Sequence, residues 1–302
     1  VGTGEYAVQV KNFSKSFGKV QVIKDLTFDV RKGEILAFLG ANGSGKTTTL
    51  RCLLNIYAED SGSLLVFGEE YTYKLAGRVG YLPEERGLYL TSSVIDTMIY
   101  FGQLKGLTAD EAKKSSLEFL ERVGLADKAM VEIKKLSSGQ QQKIQLGITV
   151  INKPELLILD EPTKGLDPLN RQLLMDLLYE LNDTGSTILF STHQMDEAER
   201  IADQVLMLKD GKRYLYGPVA TVKAEFGENT IQLRFKGKLP SNPKLYSAKQ
   251  DKNTAELVPN DGVDSEEILN YLIRSGLIIY RFEVTTPSLN EIFVNVSNNK
   301  EE

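Results

Sequence analysis

A two-domain α/β chain, its larger part built on a mainly parallel sheet, is the fold class this sequence predicts. Three observations carry the prediction. Strand-sized apolar runs alternate with helical stretches through most of residues 6–220, the pattern of a parallel sheet covered on both faces. Gly40-Ala41-Asn42-Gly43-Ser44-Gly45-Lys46-Thr47 fits G-x-x-x-x-G-K-[ST] and sits between a buried-strand run at 34–39 and a helical run at 47–54. Near Gly227 a strand–helix pattern begins afresh and marks a small second α/β domain.

Taken in order, short strands are expected at 6–10, 20–23, 26–30 and 34–39, with Gly18 and Arg31-Lys32-Gly33 as turns. After the first helix come strand-like runs at 63–67 and 78–82. From about Ser92 to Asn152 the character is helical, and residues 108–124 put Ala112, Phe119, Leu120 and Val123 on one stripe. This stretch, about 92–152, is expected to be a helical subdomain. The alternation then resumes. A strand at 156–159 precedes a helix at 168–181 with Leu169, Leu173, Leu177 and Leu181 at four-residue steps. A strand at 187–190, a helix at 194–202 and strands at 205–208 and 213–216 follow. Domains of 1–226 and 227–302 are expected. In the second, strands at 230–236 and 276–285 flank a helix at 264–274. The polar stretch 238–262, with Pro240, Pro243 and Pro259, reads as loops or short strands, and a helix near 289–296 closes the chain.

The bulk numbers exclude several classes. With 302 residues, 41% apolar and 25% charged, the chain has the composition of an ordinary globular protein. A net charge of −5 argues against a dedicated nucleic-acid binder. No apolar run approaches the ~18 residues of a membrane span, and the start lacks the charged-then-apolar layout of a signal peptide. Cys52 is the only cysteine, so no intrachain disulfide can form; it reads as a small packing residue. Without a Cys/His cluster, no zinc site is expected.

The chemistry begins at Gly40–Thr47. Its glycines let backbone N–H groups turn inward around a polyphosphate, Lys46 offers an ammonium to the terminal phosphates, and Thr47 offers a hydroxyl to Mg²⁺. The strand Leu156-Leu157-Ile158-Leu159 ends in Asp160-Glu161. There Asp160 suits a metal, directly or through water, and Glu161 suits polarisation of an attacking water. A third signal is Leu136-Ser137-Ser138-Gly139-Gln140, where Ser137 reads as the N-cap of a helix running through Ile151. A helix start with free N–H groups is a second phosphate-binding device, although an isolated one is usually only a cap.

Together these motifs resemble the nucleotide-binding subunit of an ABC transporter. Gly40–Thr47 is similar to Walker A, Leu156–Glu161 to Walker B, Leu136–Gln140 to the LSGGQ signature, Gly165-Leu166-Asp167 to the D-loop and Ser191-Thr192-His193 to the switch-histidine loop. The resemblance covers about residues 6–220. It implies a P-loop NTPase of the ABC ATPase type, with a mainly parallel core sheet, an antiparallel β subdomain and the helical subdomain, followed by the small α/β domain. It implies ATP and Mg²⁺ as ligands. Phe17 would stack on adenine, a core position being its alternative, while Gly40, Asn42, Gly43, Ser44, Gly45, Lys46, Thr47 and Thr48 hold the nucleotide. Ser137, Ser138, Gly139, Gln140 and Asp167 would act across a dimer with a second copy. Glu161, His193, Lys46 and Glu84 would be catalytic, with Thr47, Asp160 and Glu84 at the metal. The implied partners are a second ATPase subunit and a membrane permease. The implied location is the cytoplasmic face of the membrane, with no nucleic acid bound.

Two departures stand out. Leu82-Pro83-Glu84-Glu85 puts Glu84 where the family usually has Gln, and Pro83–Tyr89 is similar to the NatA-type branch, which serves exporters. Ser138 replaces the first signature glycine. The tail Pro287–Phe293 also resembles that branch. The runs Leu88-Tyr89-Leu90 and Met98-Ile99-Tyr100-Phe101 are expected to divide between subdomain core and a groove for the permease. The competing expectations are a soluble ABC-type ATPase, disfavoured by the single cassette and the absence of coiled coil, and a weakly hydrolysing nucleotide-gated binding module, motivated by Glu84 and Ser138.

Overall fold

The computed structural model describes residues 5–85, 87–226 and 230–298; Arg86, within the Pro83–Tyr89 motif, and Gly227 lie outside them. The chain divides into two compact units, Val1–Pro218 and Val219–Glu302.

The first unit runs β1 (Tyr6–Phe17), β2 (Val20–Arg31), β3 (Ile35–Leu39), α1 (Lys46–Leu53), β4 (Ser61–Val66), β5 (Val79–Leu82), α2 (Val94–Leu104), α3 (Ala109–Arg122) and α4 (Ser138–Val150). It continues through β6 (Leu156–Asp160), α5 (Pro168–Asp183), β7 (Thr187–Thr192), α6 (Met195–Ile201), β8 (Gln204–Lys209) and β9 (Lys212–Pro218). A six-stranded sheet has the order β5-β6-β7-β3-β8-β9, parallel except for β9. Every residue of β3, β6 and β7 is buried, which is why these strands read as continuous apolar runs rather than alternating ones. Because β6, β7 and β3 are parallel neighbours, their C-terminal ends lie side by side. Asp160 pairs in register with Ser191, and Leu39 with Thr192. The three motif-bearing turns that follow these strands therefore share one edge of the sheet.

A separate antiparallel sheet, β2-β1-β4, packs Val8, Val10, Phe13, Leu26 and Phe28 into the core with Phe38 and Leu50. Here β2 is one continuous strand, not the two pieces expected. Asp25 adopts φ 53° and Asn12 φ 49°, and the two side chains meet, Asn12 Nδ2 donating to Asp25 Oδ1 at 2.9 Å. Each left-handed residue inserts a bulge that bends the ladder without ending it.

The helical stretch is α2, α3 and α4. Ser93, Thr108 and Ser137 are the respective N-caps, the last two in full capping boxes with Glu111 and Gln140. Ala112, Phe119, Leu120 and Val123 are all buried, as their stripe predicts. A Cβ on Gly147 would lie 2.5 Å from the Phe119 ring, so only glycine lets α4 approach α3 this closely. The four-residue leucine ladder of α5 does not mark its core face. Leu169 is 79% exposed, and the buried residues are Leu174, Met175, Leu177 and Leu178. Steps of four overshoot a helical turn of 3.6, so such a ladder drifts off the buried stripe. Cys52 is buried, and burial pushes its thiol up to about 11, as suits a packing residue.

At the C-terminus of α4, the Lys105 ammonium donates to the Ile148 and Thr149 carbonyls at 2.9 and 2.8 Å. Burial pushes its pKa from 10.5 down to about 8. Between those values the unfolded chain holds a proton that the folded chain has released, so folding stability rises with pH across that window. Relative to Lys105→Met, the parent should gain on the order of 2 kcal/mol between pH 8 and pH 10 in chemical denaturation. Parallel stability curves for the two proteins would refute this.

The second unit comprises α7 (Val219–Phe226), β10 (Thr230–Lys236), β11 (Tyr246–Asp251), β12 (Thr254–Pro259), α8 (Ser265–Arg274), β13 (Ile278–Thr285) and α9 (Leu289–Asn298). Its antiparallel sheet, in the order β11-β12-β10-β13, packs Ile231, Leu233, Phe235 and Leu257 with Ile268 and Leu272 of α8. The polar stretch 238–262 contains the β11–β12 hairpin, which turns at Lys252-Asn253 with Lys252 at φ 51°. That pair lacks the glycine that usually announces such a turn. The β-branched residues of α7 likewise gave no helical signal.

Candidate nucleotide site

The turn after β3 leads straight into α1. Gly45 holds φ 108° as its N-cap, and a Cβ there would lie 2.3 Å from Ile23 Cδ1. Glycine thus sets both the turn and its close packing on β2. A cleft of about 390 Å³ opens over this turn, lined by Val22, Asn42, Gly43, Gly45, Lys46, Thr47, Thr48, Glu84 and Glu161. Lys46 is 6% exposed; its Nζ donates to the Gly40 carbonyl at 2.7 Å and the Ala41 carbonyl at 3.2 Å, and stands 3.9 Å from Glu161 Oε1. Burial lowers the Lys46 pKa, while Glu161, Asp160 and Glu84 oppose that shift. Ser44 is buried with its Oγ unpartnered, a polar atom turned inward at the loop.

At the end of β6, Asp160 is fully buried. Its Oδ1 accepts from Ser191 Oγ at 2.6 Å, while Oδ2 has no hydrogen-bond partner. The next residue, Glu161, takes φ 49° and donates its N–H to the same Ser191 hydroxyl at 3.0 Å. That left-handed step turns the carboxylate towards the cleft, where Oε2 lies 2.8 Å from His193 Nδ1. The loop carrying His193 is braced on both sides. Thr192 Oγ1 donates to buried Glu197 at 2.9 Å and accepts from the Gln194 N–H at 3.0 Å, and Arg171 reaches Gln194 Oε1 and pairs with Glu197 at 3.5 Å. Burial pushes the Glu197 carboxyl up.

The unpartnered oxygen of Asp160 and the hydroxyl of Thr47 in the cleft lining are ligand types that suit a small divalent cation that keeps several waters and takes phosphate oxygens. Among the described residues no three acidic, His or Cys side chains form a group that could hold a metal ion. Glu84 lines the cleft and is paired with Lys164 at 2.5 Å. Lys164 was not anticipated. Its cation offsets the charge that Glu84 adds to the cleft, and Glu84 in turn raises the Lys164 pKa. Ser191, the hydroxyl shared by Asp160 and Glu161, was likewise readable only once β6 and β7 were paired.

The remaining candidates lie elsewhere. Ser137, Ser138, Gly139 and Gln140 start α4 and contribute nothing to the cleft; Ser137 and Ser138 are exposed. Asp167 caps α5 through the Asn170 N–H at 3.0 Å. Phe17 is 45% exposed, which removes the alternative that it is a core residue. It packs edge-on to Tyr57 at 5.4 Å, outside the cleft lining.

Residues 23–164 match the family described as ABC transporter, and residues 217–297 match the C-terminal domain of DrrA1-3-like ATP-binding proteins. The chain is 37% identical over 292 residues to an uncharacterized ABC transporter ATP-binding protein, YhaQ, of Bacillus subtilis, covering 94% of this chain and 96% of that one. It is 36% identical over 233 residues to the Nod factor export ATP-binding protein I of Paraburkholderia xenovorans, covering 76% and 77% respectively. A solved structure of the ATP-binding subunit of an ABC transporter aligns with TM-score 0.69 at 27% identity, over 73% of this chain and 93% of that one.

Proposed function

The chain belongs to the ABC transporter ATP-binding proteins, a family of ATPases, and from that premise we propose that it drives export through a separate permease by closing as a dimer around ATP. One observation carries the dimer. The phosphate loop and the signature helix start sit on one subunit, yet the signature residues take no part in that subunit's own cleft. A second copy, related by a two-fold axis, supplies them and makes two equal sites.

In this reading Gly40, Asn42, Gly43, Ser44, Gly45, Lys46, Thr47 and Thr48 hold the phosphates and Phe17 stacks on adenine. Ser137, Ser138, Gly139 and Gln140 of the partner approach from the far side, with Asp167 at the seam. Thr47, Asp160 and Glu84 would hold Mg²⁺, which when bound would neutralise phosphate charge. Glu161 accepts a proton from the attacking water, and His193, 2.8 Å from its Oε2, orients that water and the γ-phosphate. ATP closes the pair because its phosphates touch both subunits, and hydrolysis removes those contacts.

No helix among the described residues is long and apolar enough to cross a membrane; in this reading the path for the substrate belongs to the permease. That partner would hold the ATPase at the inner face of the membrane. The permease groove centres on Tyr89, Leu90 and Tyr100, 53%, 50% and 46% exposed, with Phe101 against both tyrosines, whereas Met98 is wholly buried and serves the core. Export is favoured by the Nod factor relative. Copurification with the membrane protein encoded beside it, and ATPase stimulation by that partner, test the reading. Tyr89→Asp with Tyr100→Asp should abolish copurification and leave basal ATPase activity intact; undiminished capture would place the permease elsewhere.

A further inference from the structure

Two buried glutamines on α4 are unused by any role above. Gln142 is 3% exposed and Gln145 5%, and at i, i+3 they share one face of the helix. Gln142 Nε2 donates to the Pro162 carbonyl at 3.0 Å, one residue beyond Glu161. Gln145 Nε2 donates to the carbonyls of Pro83 at 3.3 Å and Glu85 at 3.2 Å, on either side of Glu84. The loops that carry both carboxylates lining the cleft are thus held, through carbonyls of the adjoining residues, by one face of one helix.

The chemistry of these contacts is pointed. Pro83 and Pro162 have no N–H and cannot donate a backbone hydrogen bond, so their carbonyls are their only main-chain polar groups, and a side-chain amide grips each one. The Glu161 turn is also left-handed, a conformation that must be held from outside. Its N–H side is fixed by Ser191 and its far side by Gln142. Gln145 Oε1 is buried with no partner. Turning the amide over would set that oxygen against two carbonyls, so the donor assignment follows from the surroundings. A residue kept only for packing would shed that unpaired oxygen, because an apolar side chain of the same shape fills the space without it.

We propose that Gln142 and Gln145 are positioning residues that tie the two ATP sites of the dimer together. The N-terminus of α4 faces the nucleotide in one site, while its glutamines hold Glu84 and Glu161 of the other. A shift of α4 on engaging nucleotide is passed to those carboxylates through the two amides. This rests on the paired-site reading above.

The test uses Gln142→Met and Gln145→Met in the full chain, since methionine keeps the length and volume. Single-subunit ATP affinity should stay within about twofold, because neither residue touches the phosphate loop. The kcat should fall about tenfold at near-constant KM, and the Hill coefficient for ATP hydrolysis should drop towards 1. A general loss of packing would not produce that split. If Gln145→Met does not fold, Gln142→Met carries the test. Unchanged kcat and Hill coefficient in a folded variant overturn the proposal. Gel filtration of the Glu161→Gln protein with ATP separates the two claims. If it stays monomeric, the paired reading falls and this proposal with it. If it dimerises while the Met variants stay cooperative, only the glutamine link falls.

Discussion

Replacing Glu161 with Gln should slow ATP turnover on the order of 10²–10⁴-fold while ATP binding persists, the range expected when a positioned general base is lost. Glu161 is 6% exposed and meets two groups, His193 Nδ1 at 2.8 Å and Lys46 Nζ at 3.9 Å. Glutamine has the same length and can keep the contact with His193, but it has no charge and cannot take a proton from water. The phosphate loop hydrogen bonds, Lys46 to Gly40 and Ala41, do not involve Glu161 at all. The variant should therefore separate binding from chemistry. Nucleotide binding measured by titration should change little, single-turnover hydrolysis should be nearly abolished, and ATP should trap the dimer. Normal turnover would remove Glu161 from its role. A loss of binding as large as the loss of turnover would instead make it a structural partner of Lys46.

The site was legible in the sequence wherever chemistry and local structure coincide. Gly40–Thr47 announces itself because one short segment supplies the turn, the cation and the helix start. Ser137 was readable as a cap because its partner, Gln140, is three residues away. The contacts that spacing cannot show are those made across the fold. Lys164 meets Glu84 from eighty residues away, and Ser191 bridges Asp160 and Glu161 only because β7 runs beside β6. Where local signals misled, a physical cause is visible. Residues 20–23 and 26–30 read as two strands and are one, bulged at Asp25; the four-residue leucine steps of α5 drift off its buried face; Lys252-Asn253 closes a hairpin without glycine. The long-range contacts also change what the motifs mean. Glu84 alone is an extra negative charge in the cleft, whereas Lys164 beside it offsets part of that charge.

Lys46→Met should weaken ATP binding about a hundredfold, and should also remove a pH dependence that the parent protein shows. A charge-assisted hydrogen bond contributes about 1.5–3 kcal/mol, on the order of 10–10²-fold in affinity, and an ammonium facing terminal phosphates stands at the upper end. In the free protein that ammonium is spent on two carbonyls of its own loop, and burial lowers its pKa below the ordinary 10.5. Phosphates would raise it again, so ATP binding would draw in a proton wherever free Lys46 has begun to lose one. Affinity is then full below the pKa of the free protein and declines as pH rises through it, a decline that begins at lower pH than an exposed lysine would give. Above about pH 8 the phosphates themselves no longer titrate, which isolates the protein's share. Titration calorimetry from pH 8 to pH 10 should show parent affinity falling with proton uptake, while the weaker Lys46→Met affinity stays flat. A flat parent profile would mean that the three carboxylates at Glu161, Asp160 and Glu84 outweigh burial and keep Lys46 charged throughout. The decline should begin at lower pH in Glu84→Gln, because removing one of those carboxylates leaves burial less opposed.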